Sequence, residues 1–510
     1  CSQYQCLSRN DTQPCSLQHQ QQPTSISAMA DSSTTTRDAV IASLEEAGLG
    51  ATLLLPTKPI YKMRIDSYWS LGARLQPWAI AQPRTTDEVS RTVKAIVAVP
   101  GAQFAIRSGG HMFWPGASNI TEGVTIDLGR LKKTTYDPAT KLASVQPGAR
   151  WNDVYPVVER EGVMVTGGRV GDVGVGGYLT GGGLSFHNCR TGLACDSVVR
   201  YEVVLGDGRV VEAERDNEHA DLFRALKGAG NNLGIVTRFD LETFPAKTCW
   251  GGFAMYSDEA GPALLNAYGD YMRHVSEAPD GAYMLFWTYD SARMEVSWMT
   301  VLMGLDGDEN AKMYEKTLEV PSNFAQMGPT SIYKIASSIK VPNGRYTAWR
   351  TLCYKYDDRV IQKTHERSTQ LTQTVRDLGS PDKFSLGYVL QPVLKNMATQ
   401  SQARGLDTVG LGAMSHDSAM FMIMAEFDTP ELRDAAAPHI KAAFDDIEAF
   451  AAGLGASTSW LYINYCDPAQ NPLATYGKEA LDRLKEVSAK YDPDGVFQER
   501  VPGGFKIGRV

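Results

Sequence analysis

The amino-acid sequence predicts an α+β protein built from two regions of different character. In residues 37–245, short apolar runs alternate with glycine-rich turns and helical segments. Near Pro245 glycine becomes less frequent, and residues 246–458 contain thirteen of the seventeen methionines. Strands paired across short turns, with separate long helices, are typical of antiparallel sheets covered by helices. We therefore expect one domain over 37–245 and a second over 246–458, with residues 459–510 completing the first.

Local signals in the first region locate its elements. Thr85 followed by Asp87 and Glu88 is a helix-start signal, so a helix is predicted from there to about Val97. A second helix is predicted over 151–161. Five apolar stretches are predicted strands, and the last two flank a Gly-Asp-Gly turn, a spacing typical of a hairpin. These strands are 104–107, 124–128, 143–148, 198–205 and 209–213.

The second region and the tail follow a different pattern. Residues 282–289 and 293–303 are predicted to pair as strands, and 418–427 is a third strand that carries alternate methionines on one face. In the tail, 462–465 is a predicted strand and 478–491 a predicted helix. Long helices are also predicted over 261–275, 308–318, 359–378 and 430–454.

Charge and composition exclude several classes of protein. The formal net charge of −8 argues against a nucleic-acid-binding surface, which needs a basic cluster. No apolar run reaches the roughly 18 residues of a membrane span, so no membrane insertion is expected. The eight cysteines include no CxxC pair and no zinc-type spacing with histidine, so no metal site is predicted.

Residues 1–36 differ from the rest of the chain. They are rich in Gln, Ser and Thr and are predicted to form a disordered leader or a non-native remnant. They contain Cys1, Cys6 and Cys15, whose pairing the spacing leaves open. If Met29 is the native start, the protein would be intracellular.

Two glycine-dense loops carry the strongest functional signal. The first is Arg107-Ser108-Gly109-Gly110-His111, and the second runs over residues 167–183. Glycine lets a backbone approach a ligand closely, and successive free N–H groups in such turns form anion sites. Neither loop is a Rossmann fingerprint or a Walker A sequence. The pair predicts a large phosphate-bearing cofactor with a histidine beside it.

The first loop resembles the histidyl-flavin loop of the vanillyl-alcohol-oxidase-type flavoproteins, specifically the berberine-bridge-enzyme-like branch. The resemblance covers roughly residues 45–245 and 459–500. It implies a PCMH-type FAD-binding domain of two subdomains, with the substrate domain inserted between them over the flavin ring. The resemblance also extends to other segments, which are Gln82-Pro83 with Val89, 123–128, 145–148, 228–237, 462–465 and 491–493.

The resemblance also implies how FAD is held. His111 is expected to bond the flavin 8α-methyl carbon. Many relatives have a second bond from a cysteine, but Val170 stands at that position, so a single covalent link is expected. The residues expected at the cofactor are Arg107, Ser108, Gly109, Gly110, His111, Met112, Gly168, Val170, Gly171, Val173, Gly174, Gly176, Gly177, Gly181, Gly234, Val236 and Asn464.

Four residues are candidates for steps of the reaction. A valine at the position of Val173 resembles plant oxidases and a leucine the dehydrogenases, so an oxidase that reduces O₂ to H₂O₂ is expected. The Tyr178 hydroxyl would stabilise charge near flavin N1, although a stacked core tyrosine fits the sequence equally well. Tyr465 matches the base of several relatives, and Gln391 is its expected partner. Free tyrosine has a pKa near 10, so the site must favour ionisation at neutral pH.

Methionine is the sequence clue to the substrate, because it suits irregular apolar pockets. Met299 and Met303, or Met420, Met422 and Met424, are expected to line a lipophilic cavity. The expected reaction is oxidation or oxidative cyclisation of a small, apolar, secondary-metabolite-type molecule. A carbohydrate oxidase, and a flavoprotein that templates a cyclisation without net redox, are the alternatives. A monomer with the substrate and O₂ as its partners is expected, and the resemblance favours a secreted or vesicular location.

Overall fold

The computed structural model describes residues 25–275, 280–404 and 409–510. It has the mixed α+β architecture that the sequence predicts. The sequence predicts disorder up to residue 36, whereas residues 25–36 form the first part of helix α1, Ser25–Glu46. The remainder of that prediction, with Cys1, Cys6 and Cys15, lies outside the described residues.

The first half of the chain forms three sheets. A four-stranded sheet has the order β1-β2-β4-β3, with β2, β4 and β3 parallel. A five-stranded antiparallel sheet has the order β5-β6-β10-β8-β9, and β7 pairs with β11. The strands are β1 Leu53–Leu54, β2 Ala79–Ala81, β3 Phe104–Arg107, β4 Val124–Asp127, β5 Thr134–Asp137, β6 Leu142–Val145, β7 Val163–Met164, β8 Val198–Val204, β9 Val210–Glu214, β10 Ile235–Glu242 and β11 Phe244–Pro245.

The helices of this half connect the strands. The predicted cap of α3 is confirmed, because the Thr85 side chain accepts a hydrogen bond from the Glu88 N–H. The predicted hairpin is also confirmed as β8 and β9. After α1 the helices are α2 Pro59–Asp66, α3 Thr86–Val97, α4 Trp151–Arg160, α5 Val175–Thr180, α6 Asn188–Thr191 and α7 Ala220–Ala225.

A seven-stranded antiparallel sheet dominates the second half, with the order β15-β12-β14-β13-β17-β18-β16. The pairing of β13 with β14 confirms the predicted pair of strands, and β18 has the predicted bounds. The strands are β12 Cys249–Ser257, β13 Gly281–Asp290, β14 Glu295–Gly304, β15 Phe324–Thr330, β16 Tyr346–Lys355, β17 Phe384–Val393 and β18 Ser418–Phe427.

Helices cover one face of this sheet through aromatic packing. Trp287 stacks on Trp298 and Tyr388, and Phe421 stacks on Phe444 of α13 at 5.0 Å between ring centroids. Alternate residues therefore point to the opposite face. The helices are α8 Gly261–His274, α9 Glu315–Leu318, α10 Ile332–Ser338, α11 Asp358–Asp377, α12 Lys395–Ala403 and α13 Pro430–Gly453.

The tail returns to the first half of the chain. Helix α14, Lys478–Tyr491, has the predicted bounds. The Asp492 carboxylate then accepts hydrogen bonds from the N–H groups of Val496 and Phe497, which holds the turn that follows. The Phe497 ring packs against Phe104 of β3 at 6.2 Å between centroids.

Two predicted elements are wrong. Residues 308–318 form only a short 3₁₀ turn and α9, because the Asp306 and Asp308 side chains accept N–H bonds in local turns that compete with a helix. Residues 462–465 form no strand. A 3₁₀ turn over Ile463–Tyr465 takes its place, fixed by the Asn464 amide, which donates to the carbonyl oxygens of Tyr178 and Gly181.

The described part of the chain contains no candidate membrane-spanning helix and no candidate metal cluster. Its helices include none that combines the length and apolar character needed to cross a bilayer. Its His, Cys, Asp and Glu side chains nowhere gather in a group of three or more that could hold a metal ion. The cysteines at 189, 195, 249, 353 and 466 are buried and unpaired.

Candidate active site

The two glycine loops pack directly against each other. A Cβ atom on Gly109 would lie 2.6 Å from the Cα of Gly174, closer than real Cβ contacts allow. The Arg150 guanidinium joins the loops by donating to the carbonyl oxygens of Gly109, at 2.7 Å, and of Asp172. The Ser108 hydroxyl adds a further link by accepting the Gly176 N–H at 3.1 Å. The loops therefore form one unit at the carboxyl end of β3.

A cavity of about 750 Å³ lies between this unit and the uncovered face of the seven-stranded sheet. Small-molecule sites usually enclose about 300–1,000 Å³. All the predicted site residues line the cavity except Arg107 and Gly171. Those at the cavity are Ser108, Gly109, Gly110, His111, Met112, Gly168, Val170, Val173, Gly174, Gly176, Gly177, Tyr178, Gly181, Gly234, Val236, Gln391, Asn464 and Tyr465.

Arg107 and Gly171 do not line the cavity, so their place at the cofactor stays a prediction. The buried Arg107 guanidinium donates to the carbonyl oxygen of Arg64 and to Oγ of Ser67, both at 2.8 Å. The Gly171 N–H donates to the carbonyl oxygen of Ala336 at 2.8 Å. Both residues hold the loops in place from outside the cavity.

His111 is held as a neutral imidazole. Its ring stacks on Trp69 with 4.8 Å between centroids and 3° between planes. Burial, assisted by the positive charge of Arg150, lowers the pKa of His111 to about 4. At neutral pH the ring therefore keeps a nitrogen lone pair. Sequence reasoning missed Trp69, because β2, α3 and β3 separate it from His111 along the chain and no motif surrounds it.

Arg169 connects the predicted base to its predicted partner. Its Nη2 donates to Gln391 Oε1 at 2.6 Å and to Tyr465 Oη at 3.1 Å. Gln391 is only 2% exposed on β17, and its Nε2 contacts the Met422 sulfur at 3.7 Å. The second glycine loop, the sheet and the tail thus meet at one guanidinium. Sequence reasoning missed Arg169, whose only signal was its place inside that loop.

Tyr178 and Asn464 lie together on another side of the cavity. Burial raises the pKa of Tyr178 well above its ordinary value, so its hydroxyl stays protonated. That hydroxyl has no hydrogen-bond partner among the described residues. The Asn464 amide donates to Tyr462 Oη at 3.0 Å as well as to the two carbonyl oxygens named above. Its N–H groups are therefore directed to the protein rather than to a ligand.

The uncovered face of the sheet changes character along its strands. Near Gln391 it presents Phe286, Val389 and Met422, which are paired across β13, β17 and β18. Met299 and Met424 also line the cavity, as predicted. Met303 and Met420 do not, because both are fully buried in the core. Three of the five predicted methionines, Met299, Met422 and Met424, therefore line the cavity.

The residues present fit a flavin cofactor. The contact of Gly109 with Gly174 and the glycines around it leave room that side chains would fill. Three buried donors at the cavity have no partner among the described residues, and the carbonyl oxygens and ring nitrogens of a flavin accept such bonds. They are Tyr178 Oη, Trp114 Nε1 and Trp349 Nε1.

Comparison with known proteins agrees with this fit. The family model described as "FAD binding domain" matches residues 77–214, and the model "Berberine and berberine like" matches residues 461–501. The FAD-dependent monooxygenase sdcF of Emericella nidulans is 34% identical over 465 residues, which are 91% of this chain and 97% of the relative.

Solved structures share the fold. The xylooligosaccharide oxidase of Myceliophthora thermophila superposes with a TM-score of 0.72 and 21% identity over 92% of this chain and 99% of its own. The glucooligosaccharide oxidase of Acremonium strictum, described with a 6-S-cysteinyl, 8α-N1-histidyl FAD, gives a TM-score of 0.69 and 19% identity over 90% and 97% of the two chains. With a relative of 34% identity over almost the whole length, the chain belongs to the berberine-bridge-enzyme-like family of FAD-dependent oxidoreductases.

Proposed function

We propose that the protein is an oxidase of a small, largely apolar organic molecule, with FAD attached through His111 alone and O₂ as the electron acceptor. The observation that carries the proposal is the meeting of Tyr465, Gln391 and Arg169 at a cavity that His111 also lines. In this reaction a C–H/O–H pair of the substrate becomes a carbonyl group, and O₂ takes up the two electrons and two protons as H₂O₂.

The division of the chain that we propose follows the sheets. Residues 37–245 with 459–510 would form the FAD-binding domain, and 246–458 the substrate domain. The strands of the seven-stranded sheet fall within Cys249–Phe427, and Phe497 of the tail packs on β3. The cavity between the two parts would then hold the cofactor on the loop side and the substrate on the sheet side.

His111 would hold the cofactor by its free lone pair. FAD, when bound, supplies a two-electron acceptor. The glycines of both loops would hold it, and the protonated Tyr178 hydroxyl would donate a hydrogen bond to it. A single attachment is supported because Val170 lines the cavity, whereas none of the five cysteines in the described part of the chain does.

Tyr465 would accept the substrate hydroxyl proton at its Oη. The Arg169 guanidinium stabilises the resulting phenolate by a charge-assisted hydrogen bond. The buried Gln391 amide oxygen fixes the guanidinium in that position, and it does so without a competing negative charge. The role of Gln391 would therefore be to position Arg169 beside Tyr465.

The substrate class is inferred from the sheet. Near Gln391 the sheet presents an apolar surface of Phe286, Val389, Met422 and Met424, and the acidic side chains that line the cavity lie at the other end of the strands. The monooxygenase name of the 34% identical relative makes insertion of an oxygen atom the second candidate reaction. Both reactions consume O₂, and they differ in where its atoms end.

We predict that His111→Ala abolishes covalent flavin, because among the described residues that line the cavity His111 is the only histidine and none is a cysteine. The measurement is flavin fluorescence of the denatured protein on a gel. His439→Ala, on α13 and away from the cavity, serves as the matched control and should keep the fluorescent band. A fluorescent band in His111→Ala would identify another attachment residue.

We predict that Gly174→Ala separates the two loops, because its Cβ would lie 2.5 Å from the Gly109 Cα. Overpacking of this kind costs about 1–3 kcal/mol. Flavin absorbance per protein should fall, and the melting temperature should drop. Gly453→Ala, whose Cβ would meet nothing within 4 Å, should change neither. Full flavin content in Gly174→Ala would mean that the loop contact is not required.

We predict that Tyr465→Phe slows anaerobic flavin reduction by about 100-fold or more if Tyr465 is the base. Stopped-flow bleaching of the oxidised flavin band measures this rate, with any substrate found in a panel of aromatic and polyketide-type alcohols. Arg169→Met should also be slow, because the phenolate formed on Tyr465 would lose its charge-assisted hydrogen bond. An unchanged rate in Tyr465→Phe would remove it from this role.

We predict one H₂O₂ per oxidised substrate and no label in the product under ¹⁸O₂. Val173→Leu should slow the reaction of the reduced protein with O₂ by about tenfold, equivalent to about 1.4 kcal/mol, and leave flavin reduction unchanged. Labelled oxygen in the product, without H₂O₂, would establish the monooxygenase instead. Turnover of oligosaccharides but not of the alcohol panel would establish a carbohydrate oxidase.

A further inference from the structure

The cavity has a charged end far from Tyr465. Four strands place one residue each in a single row on the uncovered face of the sheet, and three of the four residues are acidic. The strand register pairs Asp290 with Glu295 and with Ser385, and Ser385 with Glu426. All four residues line the cavity. The row lies six residues along β17 from Gln391, a distance of about 20 Å at the usual rise of a strand.

Glu426 differs from the other two acids of the row. It is only 8% exposed, whereas the Asp290 and Glu295 side chains are 41% and 56% exposed and face Arg293 at 3.8 and 3.5 Å. The Glu426 carboxylate makes no hydrogen bond or ion pair with any described residue. Arg345, the cation that most affects it, is bonded to Asp428 instead.

A buried carboxylate without a partner is costly, and when ionised it can only accept hydrogen bonds. Burial raises the pKa of Glu426 to about 7, against the weaker opposing charge of Arg345. A ligand that brings an ammonium group would satisfy this carboxylate by a charge-assisted hydrogen bond, which is the strong kind. A ligand that brings an anion would be repelled.

We propose that Glu426 is the residue that recognises the substrate, and that it pairs with an ammonium group at the end of an apolar body. The body would lie over Met424 and Met422 and bring its oxidisable carbon to Tyr465. The inference rests on the proposed function, because it treats this cavity as the substrate site. It narrows the substrate class to apolar amines whose ammonium and reacting carbon are up to about 20 Å apart.

The test compares two ligands with the same decyl chain. One ends in a charged ammonium group and the other in a neutral hydroxyl group. Decylamine hydrochloride and decan-1-ol are titrated into the holoenzyme at pH 8 by isothermal calorimetry. The wild-type protein should bind the amine at least about tenfold more tightly than the alcohol, the usual range for a hydrogen bond to a charged group. Glu426→Gln should lose this preference and keep its affinity for the alcohol.

Glu295→Gln is the matched control, because Glu295 lies in the same row but is exposed. It should retain the amine preference within about twofold. Equal binding of amine and alcohol by the wild type, no binding of either, or a retained preference in Glu426→Gln would overturn the proposal. Calorimetry needs no turnover, so a failure of the oxidase assay with intact amine preference would contradict the proposed reaction and not this site.

Discussion

The packing of Gly109 against Gly174 is the constraint on which the rest of the site depends. Neither position has space for a side chain, so the two loops meet backbone to backbone. Arg150 then satisfies carbonyl groups on both sides of that contact. His111 follows Gly109 by two residues, and Val173 directly precedes Gly174. One contact therefore sets where the histidine and the valine stand relative to each other.

The same loop unit reaches the sheet and the tail through Arg169. Its guanidinium is bonded to Gln391 of β17 and to Tyr465 of the tail, so three distant segments converge on one charge. On the sheet, the side chains run from apolar at Gln391 to acidic at Glu426. The cavity thus has a polar end at Arg169, an apolar middle and a carboxylate at the far end. Such an order suits an elongated molecule with two functional groups.

Local signals in the sequence were enough to predict many helices and strands. They could not predict contacts between residues that lie far apart in the chain. The Thr85 cap, the hairpin of β8 and β9 and the bounds of β18 depend on neighbouring residues. Arg169 lies inside a loop that the sequence singled out, yet its partners are 222 and 296 residues away. Alternation placed the methionines of β18 on one face. Which of them reach the cavity depends on packing around each one, since Met420 is buried in the core while Met422 and Met424 line the cavity.

In the proposed arrangement, the joined loops hold the flavin at His111 with its ring toward the sheet. A crystal structure of the purified holoenzyme tests this most directly. We expect continuous electron density between the His111 imidazole and the flavin, the Tyr178 hydroxyl bonded to the ring, and the Arg169, Gln391 and Tyr465 cluster on the substrate side. Flavin density elsewhere, or a gap between it and His111, would contradict this placement of the cofactor.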